Sequence, residues 1–355
     1  MAWHGSNDFA ENTPTAPVSK SPRSITEVTE LTKRALMASG YCEEDATIVT
    51  DILMYAELRG NNQGLIKLVA GTLAPTPSGE ITVTRETGVS AKIDGGQRIG
   101  MVIMRKAVDL AIEKAKVSGM SVIGVTNYAS ATGALGCWGR DIARAGLIGI
   151  VMSQCPEMVA PYGSYQPIFG TNPFSIGIPT TPRPQVLDMA TSAYAYFGVV
   201  TAQTEGKPIP GDIAWDAEGQ PAKEPADALK GALRSFDRSY KGSHISMMVE
   251  LLAGALTGGA MENKGPSKNW GSLVICIDPK VFGTLEEFQA NANIMCDRVK
   301  NAHILPDHSE GTSITLPGER GDTVEAENLK NGTLELSDDV YNALKNTESF
   351  IPKAK

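Results

Sequence analysis

Ser121-Val122-Ile123-Gly124-Val125-Thr126 is a short apolar run, and Ala131-Thr132-Gly133-Ala134-Leu135-Gly136 follows it closely. The first reads as a buried strand and the second as a turn that opens a helix over 133–146. Leu147-Ile148-Gly149-Ile150-Val151-Met152 then reads as a second strand, and the residues before Ser121 form a long helix over 99–119. Helices between apolar strand runs predict an α/β layer built around a sheet. A small glycine-containing turn at a helix N-terminus can present backbone N–H groups to a phosphate, although the same residues serve equally as a plain strand-to-helix turn. The Gly-x-Gly-x-x-Gly dinucleotide fingerprint and the P-loop pattern are both absent, so neither standard nucleotide fold is indicated.

Working outward, Ser24-Ile25-Thr26-Glu27 has capping-box spacing and opens an amphipathic helix with Ile25, Val28, Leu31 and Leu36 on one face. A second helix runs from about Glu43 to Arg59-Gly60, burying Ala46, Val49, Ile52, Leu53 and Ala56. Pro75-Thr76-Pro77-Ser78-Gly79 is a turn, and residues 81–93 read as a strand pair around Gly88. Residues 243–256 read as a strongly apolar helix of the core, 272–277 as a strand and 286–301 as a helix. After Pro306 the chain turns polar, and a helix over 338–346 ends it. These readings divide the chain into a disordered tail (1–23), an N-terminal helical segment (24–75), an α/β domain (76–285) and a C-terminal segment (286–355).

Composition limits the function. Lys+Arg 32 against Asp+Glu 40 leaves a net charge of -8, which disfavours nucleic acid and anionic membrane surfaces as partners. No apolar run approaches the ~18 residues of a membrane span, and the polar, proline-containing N-terminus lacks the apolar region of a secretory signal. Cys42, Cys137, Cys155, Cys276 and Cys296 are scattered, so a disulfide framework is not expected and a cytoplasmic setting is. The histidines are His4, His244, His303 and His308, with no His-Glu-x-x-His, and no protein-bound metal is predicted. Histidine is also too scarce before residue 244 for a Ser-His-Asp or Cys-His arrangement. Asp212 with Asp216, and Glu43 with Glu44, lie in polar contexts and read as solvated faces.

The order of the remaining motifs resembles one family. Arg59-Gly60-Asn61-Asn62-Gln63-Gly64-Leu65-Ile66-Lys67-Leu68, Thr132-Gly133-Ala134-Leu135-Gly136, Val159-Ala160-Pro161-Tyr162-Gly163 and Gly170-Thr171-Asn172-Pro173-Phe174 occur in sequence. Leu187-Asp188-Met189-Ala190-Thr191-Ser192, Tyr240-Lys241-Gly242, Glu250-Leu251-Leu252-Ala253-Gly254 and Leu316-Pro317-Gly318-Glu319-Arg320 follow. Across roughly residues 24–350 the chain is similar to the malate/L-lactate/ureidoglycolate dehydrogenases, the type-2 group without a Rossmann fold. The resemblance implies an α/β fold: a non-Rossmann NAD(P)-binding domain on a mixed sheet, beside a helical domain formed by the N- and C-terminal segments, in a homodimer. It implies NAD or NADP as cofactor, with NADPH favoured. Cofactor contacts are implied at Thr132, Gly133, Ala134, Leu135, Asp188, Met189, Ala190, Tyr240, Lys241, Leu316, Pro317 and Gly318. Thr171 would touch a small-molecule substrate, and Lys67 stands where the family has a carboxylate-binding arginine. Lysine keeps that charge and loses the planar two-pronged hydrogen bond.

The departures concern proton transfer. Asn62-Gln63 replaces the family's Ser-His pair, in a loop one residue shorter before Gly64. Ala131 stands where the family has a histidine before the Thr-Gly-Ala-Leu-Gly turn, and the acid of its proton relay falls on Gly198. The neighbouring Ala195, Tyr196 and Phe197 replace a small residue, an arginine and a glycine, which suggests a more apolar pocket wall. Reduction of a ketone creates an alkoxide that needs an acid or strong donors. A protonated cyclic imine does not, because hydride addition neutralises it. The leading expectation is therefore reduction of a C=N bond, with Asn62 and Gln63 orienting the substrate and Lys67 holding an anionic group. A 2-oxo-acid reductase with a replaced proton donor is the alternative within the same chemistry. A non-redox enzyme or a nucleotide-binding pseudoenzyme on the same scaffold is the alternative outside it. His244 and Tyr240 are candidate replacement donors, each of which would equally serve as a packing residue. Lys241 is expected to contact a phosphate.

Overall fold

The computed structural model describes residues 19–73, 79–264, 269–306 and 313–350. The chain enters as β1 (Lys20–Ser24), then forms α1 (Ile25–Ala38), α2 (Glu43–Leu58) and the single turn α3 (Ile66–Val69). Ser24 Oγ accepts from Glu27 N–H and caps α1. The Glu27 carboxylate does not reach back to complete the box; it accepts from the Tyr341 hydroxyl at 2.7 Å. β1 lies inside what the sequence reads as a disordered tail over 1–23, and that boundary is corrected. Its antiparallel partner is Thr333–Ser337, more than three hundred residues away. Arg23 fixes the pairing by an ion pair with Asp338 (2.7 Å) and by lying 3.9 Å over the Tyr341 ring. The earlier part of that tail and the Pro75–Ser78 turn fall outside the described residues.

The middle of the chain builds a seven-stranded sheet from β2 (Thr82–Glu86), β3 (Ser90–Asp94), β4 (Met120–Tyr128), β5 (Ile148–Ser153), β6 (Phe174–Ile178), β7 (Gln185–Met189) and β10 (Trp270–Ile277), counting two short strands given below. The order is β2-β3-β4-β10-β5-β6-β7, and β3 with β4 is the parallel pair. β10 inserts antiparallel between β4 and β5, so the strand–helix–strand run read from sequence does not close a doubly wound sheet. This mixed order is the non-Rossmann arrangement expected. α4 (Gly100–Ser118) lies on β4 through Ala107, Ala111 and Ala115, whose small side chains let Ser121 Oγ reach the Ala111 carbonyl at 2.6 Å. α5 (Leu135–Arg144) packs on β5, β6 and β7, with Gly139 against Gly177.

Residues 158–233 carry a second, smaller core of Val159, Phe169, Val199, Ala202, Ile213 and Leu233. It is framed by α6 (Tyr196–Thr204), the short pair β8 (Ala214–Trp215) and β9 (Ala232–Leu233), and α7 (Pro225–Lys230). α8 (Tyr240–Val249) continues into a π-helical turn, Glu250–Ala255. The expectation that residues 243–256 form a core helix is corrected. The buried strip is Ser243, Ser246, Val249, Glu250 and Ala253, while Ile245, Met248, Leu252 and Leu256 are exposed. Apolar content located the helix, but it does not tell a core-facing stripe from a solvent-facing one. α9 (Leu285–Lys300) begins with a full capping box at Thr284 and Glu287. The polar stretch after Pro306 also holds more structure than its composition suggests: α10 (Glu319–Asn331), β11 (Thr333–Ser337) and α11 (Asp338–Lys345). α10 packs on α2 and α11 on α1, so the two ends of the chain form the helical layer together. Among the described residues, no helix is long and apolar enough to cross a membrane, and no group of three or more His, Cys, Asp or Glu is placed to hold a metal.

Candidate active site

The turn before α5 is shaped by close contacts. Gly133 has φ +80°, and a Cβ there would meet Ile52 Cγ2 at 2.3 Å. Trp138 Nε1 pins the turn by donating to the Thr132 carbonyl at 2.9 Å. No side chain caps α5 at Ala134, but Asp188 crosses from β7 and accepts from the Gly136 N–H. Gly136 has no room for a side chain, because its Cβ would lie 2.8 Å from the Tyr55 hydroxyl and 2.9 Å from Asp188 Oδ2. Asp188 is exposed on β7, yet crowding by protein pushes its carboxyl up to about 6, against the pull of the Gly136 N–H, Arg59 and Lys67. That push is felt in full only when water is excluded from around it.

The Leu316–Gly318 segment lies along the same edge: Val186 N–H donates to the Pro317 carbonyl at 3.4 Å, and Arg59 Nη2 donates to the Gly318 carbonyl at 3.1 Å. Most of the expected cofactor residues (Thr132 to Leu135, Asp188 to Ala190, and Leu316 to Gly318) are thus gathered around β7 and the start of α5. Arg59, which sequence reading did not single out, ties this edge to α10 through Asp322 at 2.5 Å and Glu325 at 2.7 Å.

Lys67 is buried, with 2% of its surface exposed. Its Nζ lies 5.2 Å from the centre of the Phe197 ring, and Phe197 in turn meets Tyr196 edge-on at 5.7 Å. Burial pulls the Lys67 ammonium down to about 8, opposed by the nearby Cys155 and Asp188. Cys155, also missed by sequence reading, bonds to Thr171. The Thr171 segment is held from below by a buried pair: Glu250 Oε1 takes Lys264 Nζ at 2.5 Å, Asn172 Nδ2 at 2.9 Å and the Gly170 N–H at 3.0 Å. Thr191 N–H donates to the Thr171 carbonyl from the other side at 2.9 Å.

Asn62 is exposed and Gln63 half-buried beside it. Gln63 N–H donates to Asn61 Oδ1 at 3.0 Å, and Glu57 holds the next turn by accepting from Leu65 N–H at 2.9 Å. A Cβ on Gly198 would lie 3.1 Å from Asn62 Nδ2 and 2.7 Å from Tyr194 Cε1. The Tyr194 ring and the Asn62 amide therefore take up the space that a side chain at 198 would need. Gly198→Ala is expected to cost about 1–3 kcal/mol by overpacking, read as a lower unfolding midpoint with Asn62 displaced.

Tyr240, Lys241 and His244 lie on the exposed start of α8, whose Ser246 bonds to Asn172 and Thr191; there Tyr240 meets Tyr162 at 6.4 Å and His244 at 5.5 Å. Among the described residues, no hydrogen bond or ring contact ties His244 to Lys67, Gln63 or Asn62. The first N–H groups of α8 are already taken: Lys241 N–H by Ser239 Oγ and Gly242 N–H by the Asp237 carboxylate. A phosphate contact here would rest on the Lys241 ammonium rather than on a free helix end.

A family defined by malate/L-lactate dehydrogenase matches residues 24–345, and the chain belongs to it. It is 34% identical to the L-sulfolactate dehydrogenase of Methanothermobacter thermautotrophicus, over 81% of this chain and 88% of that one. It is 32% identical to the Delta(1)-pyrroline-2-carboxylate reductase 1 of Burkholderia ambifaria, over 73% of this chain and 80% of that one. The crystal structure of malate dehydrogenase from Entamoeba histolytica superposes with a TM-score of 0.86 at 27% identity, covering 95% of this chain and 99% of that one. The chain is an oxidoreductase of this dehydrogenase and reductase family.

Proposed function

We propose that the protein reduces a cyclic C=N bond with NADPH or NADH. One observation carries this reading. Lys67, the Tyr196–Phe197 pair and Asn62 lie together, no histidine of the described residues is bonded to or stacked on any of them, and relatives in the same family include a Delta(1)-pyrroline-2-carboxylate reductase. The residues suit a nicotinamide cofactor: the glycine-containing turn opens α5 with no side-chain cap at Ala134, and Asp188 and Leu316–Gly318 line the adjoining edge. When bound, the reduced nicotinamide supplies the hydride. Asn62 and Gln63 offer amide donors, Thr171 a hydroxyl on a braced loop, Phe197 an apolar wall, and Lys67 a buried positive charge. A cyclic imine bearing a carboxylate fits such a pocket, its carboxylate meeting the Lys67 charge and its nitrogen, more basic than a ketone oxygen, needing only a weak acid. Lys241 is exposed and suits the extra phosphate of NADPH.

The test is transfer of tryptophan fluorescence to bound nicotinamide on titrating NADPH and NADH, followed by loss of reduced-nicotinamide absorbance. Cofactor oxidation that depends on a cyclic imine, and is slower with a pyruvate-like acid, is expected. Turnover of the acid alone would favour the 2-hydroxy-acid dehydrogenase alternative. Binding without turnover of either would favour a non-redox role.

We also propose a homodimer, in a reducing cytoplasmic setting that suits five free cysteines. Ile245, Met248, Leu252 and Leu256 form an exposed apolar row at helical spacing, which a two-fold related copy would cover. Light scattering is expected to give twice the 37.6 kDa chain mass, and Leu252→Glu to give the monomer. A monomeric wild-type protein overturns this assignment.

A further inference from the structure

Among the described residues two lysines are buried, and they differ in one respect. Lys264 is neutralised by Glu250 at 2.5 Å. Lys67 is as deeply buried, and no carboxylate of the described residues lies within ion-pair reach of its ammonium. Its own turn, α3, brings only Ile66, Leu68 and Val69. α6 brings the Phe197 ring and, beside it, the Tyr196 phenol, itself pushed up by burial. The titratable groups whose charge reaches Lys67 are Cys155, after β5, and Asp188 on β7. A buried ammonium without a counter-ion is costly. Giving up a proton removes that cost, so the site favours the neutral amine once a basic acceptor arrives.

We propose that Lys67 is the proton donor of the reduction, which rests on the reading of the chain as a nicotinamide-dependent reductase. As hydride adds to the substrate carbon, the π pair of the C=N or C=O bond moves onto the heteroatom. An N–H bond of Lys67 Nζ breaks and its proton goes to that atom. The substrate is reduced, the nicotinamide is oxidised, and Lys67 is left as a neutral amine that regains a proton from solvent once product leaves. The donor is present below the Lys67 pKa of about 8 and lost as pH rises through it. A permanently charged N-methyl cyclic iminium needs no proton, and its reduction bypasses Lys67.

The experiment compares wild type, Lys67→Arg and Lys67→Met with a neutral imine, a 2-oxo acid and an N-methyl cyclic iminium, after melting curves confirm that the variants fold. Arginine keeps the charge but holds its proton too tightly to donate it. With the neutral imine and the 2-oxo acid, both variants should lose kcat by about 100-fold or more, without a matching rise of KM in Lys67→Arg. The wild-type fall in kcat above pH ~8 should disappear, and reduction of the N-methyl iminium should fall by far less, no more than about 10-fold. Lys67→Arg with wild-type kcat and pH profile would overturn the proposal and leave Lys67 as an anion holder. A second readout needs no turnover: in protein labelled with 13C at the lysine ε-carbon, the signal missing from Lys67→Met should titrate near 8. Titration at the ordinary lysine value overturns the proposal. If wild type reduces none of the three substrates, the reductase reading fails, and this titration still decides whether Lys67 carries a labile proton.

Discussion

Glu250→Ala is expected to destabilise the protein by about 3–5 kcal/mol, the range for removing one partner of a buried ion pair. The size follows from the number of donors that lose their acceptor together. Lys264 Nζ, Asn172 Nδ2 and the Gly170 N–H all point at Oε1, and Gln154 Nε2 points at Oε2 at 2.8 Å. Lys264 keeps the Ile168 carbonyl at 3.2 Å, and the ammonium still loses its buried counter-charge. The carboxylate sits at the start of the π-helical turn after α8, so it also couples that turn to the loop carrying Thr171. Glu250→Gln, which keeps one acceptor oxygen, is expected to cost less than the alanine. Urea unfolding at neutral pH measures both, and a change below about 1 kcal/mol for the alanine would mean that water replaces the carboxylate, contrary to the burial described.

Gly177→Ala is expected to cost about 3 kcal/mol, close to the lower bound for Glu250→Ala. A Cβ on Gly177 would lie 2.0 Å from the Gly139 carbonyl oxygen and 2.5 Å from its carbon. Both are backbone atoms of α5, so relief requires the helix to move off β6. Overpacking a core costs about 1–3 kcal/mol, occasionally more, and a rigid backbone obstacle belongs at the upper end. The start of α5 also carries the Gly136 N–H that meets Asp188, so nicotinamide affinity should fall along with stability. Gly88→Ala is the comparison, since a Cβ there meets nothing within 4 Å and should leave both properties near wild type. Equal melting temperatures for the two variants would show that α5 is not seated against β6 as described.

The local patterns were readable from sequence because they rest on neighbouring residues. Apolar runs located β4, β5 and most of β10, and Ser24 at the start of α1 was a readable cap. What escaped rests on distant partners. Nothing in Trp270–Ile277 says that it inserts between β4 and β5. Nothing in Lys20–Ser24 announces a strand whose mate is Thr333–Ser337. α10 has no buried residue, so it carries no apolar stripe to read. Lys67, Asn62, Gln63 and Phe197 were visible as residues. That Lys67 is buried with no carboxylate of the described residues in ion-pair reach, and that Arg59 gathers Asp322 and Glu325 from the far end of the chain, are properties of packing. Two signals were available for Arg59: its place at the end of an amphipathic helix, and the acidic first turn of α10.

The central claim is that hydride reaches a C=N carbon in preference to a C=O carbon. The most direct test offers the protein equal amounts of a cyclic 2-carboxy imine and a 2-oxo acid of similar size, together with nicotinamide cofactor deuterated at the transferable position. Deuterium in the products is then read by NMR. The account predicts one deuterium at the former imine carbon of the cyclic amino acid, with the hydroxy acid as the minor labelled product. Deuterium chiefly in the 2-hydroxy acid, or in neither product, would contradict it.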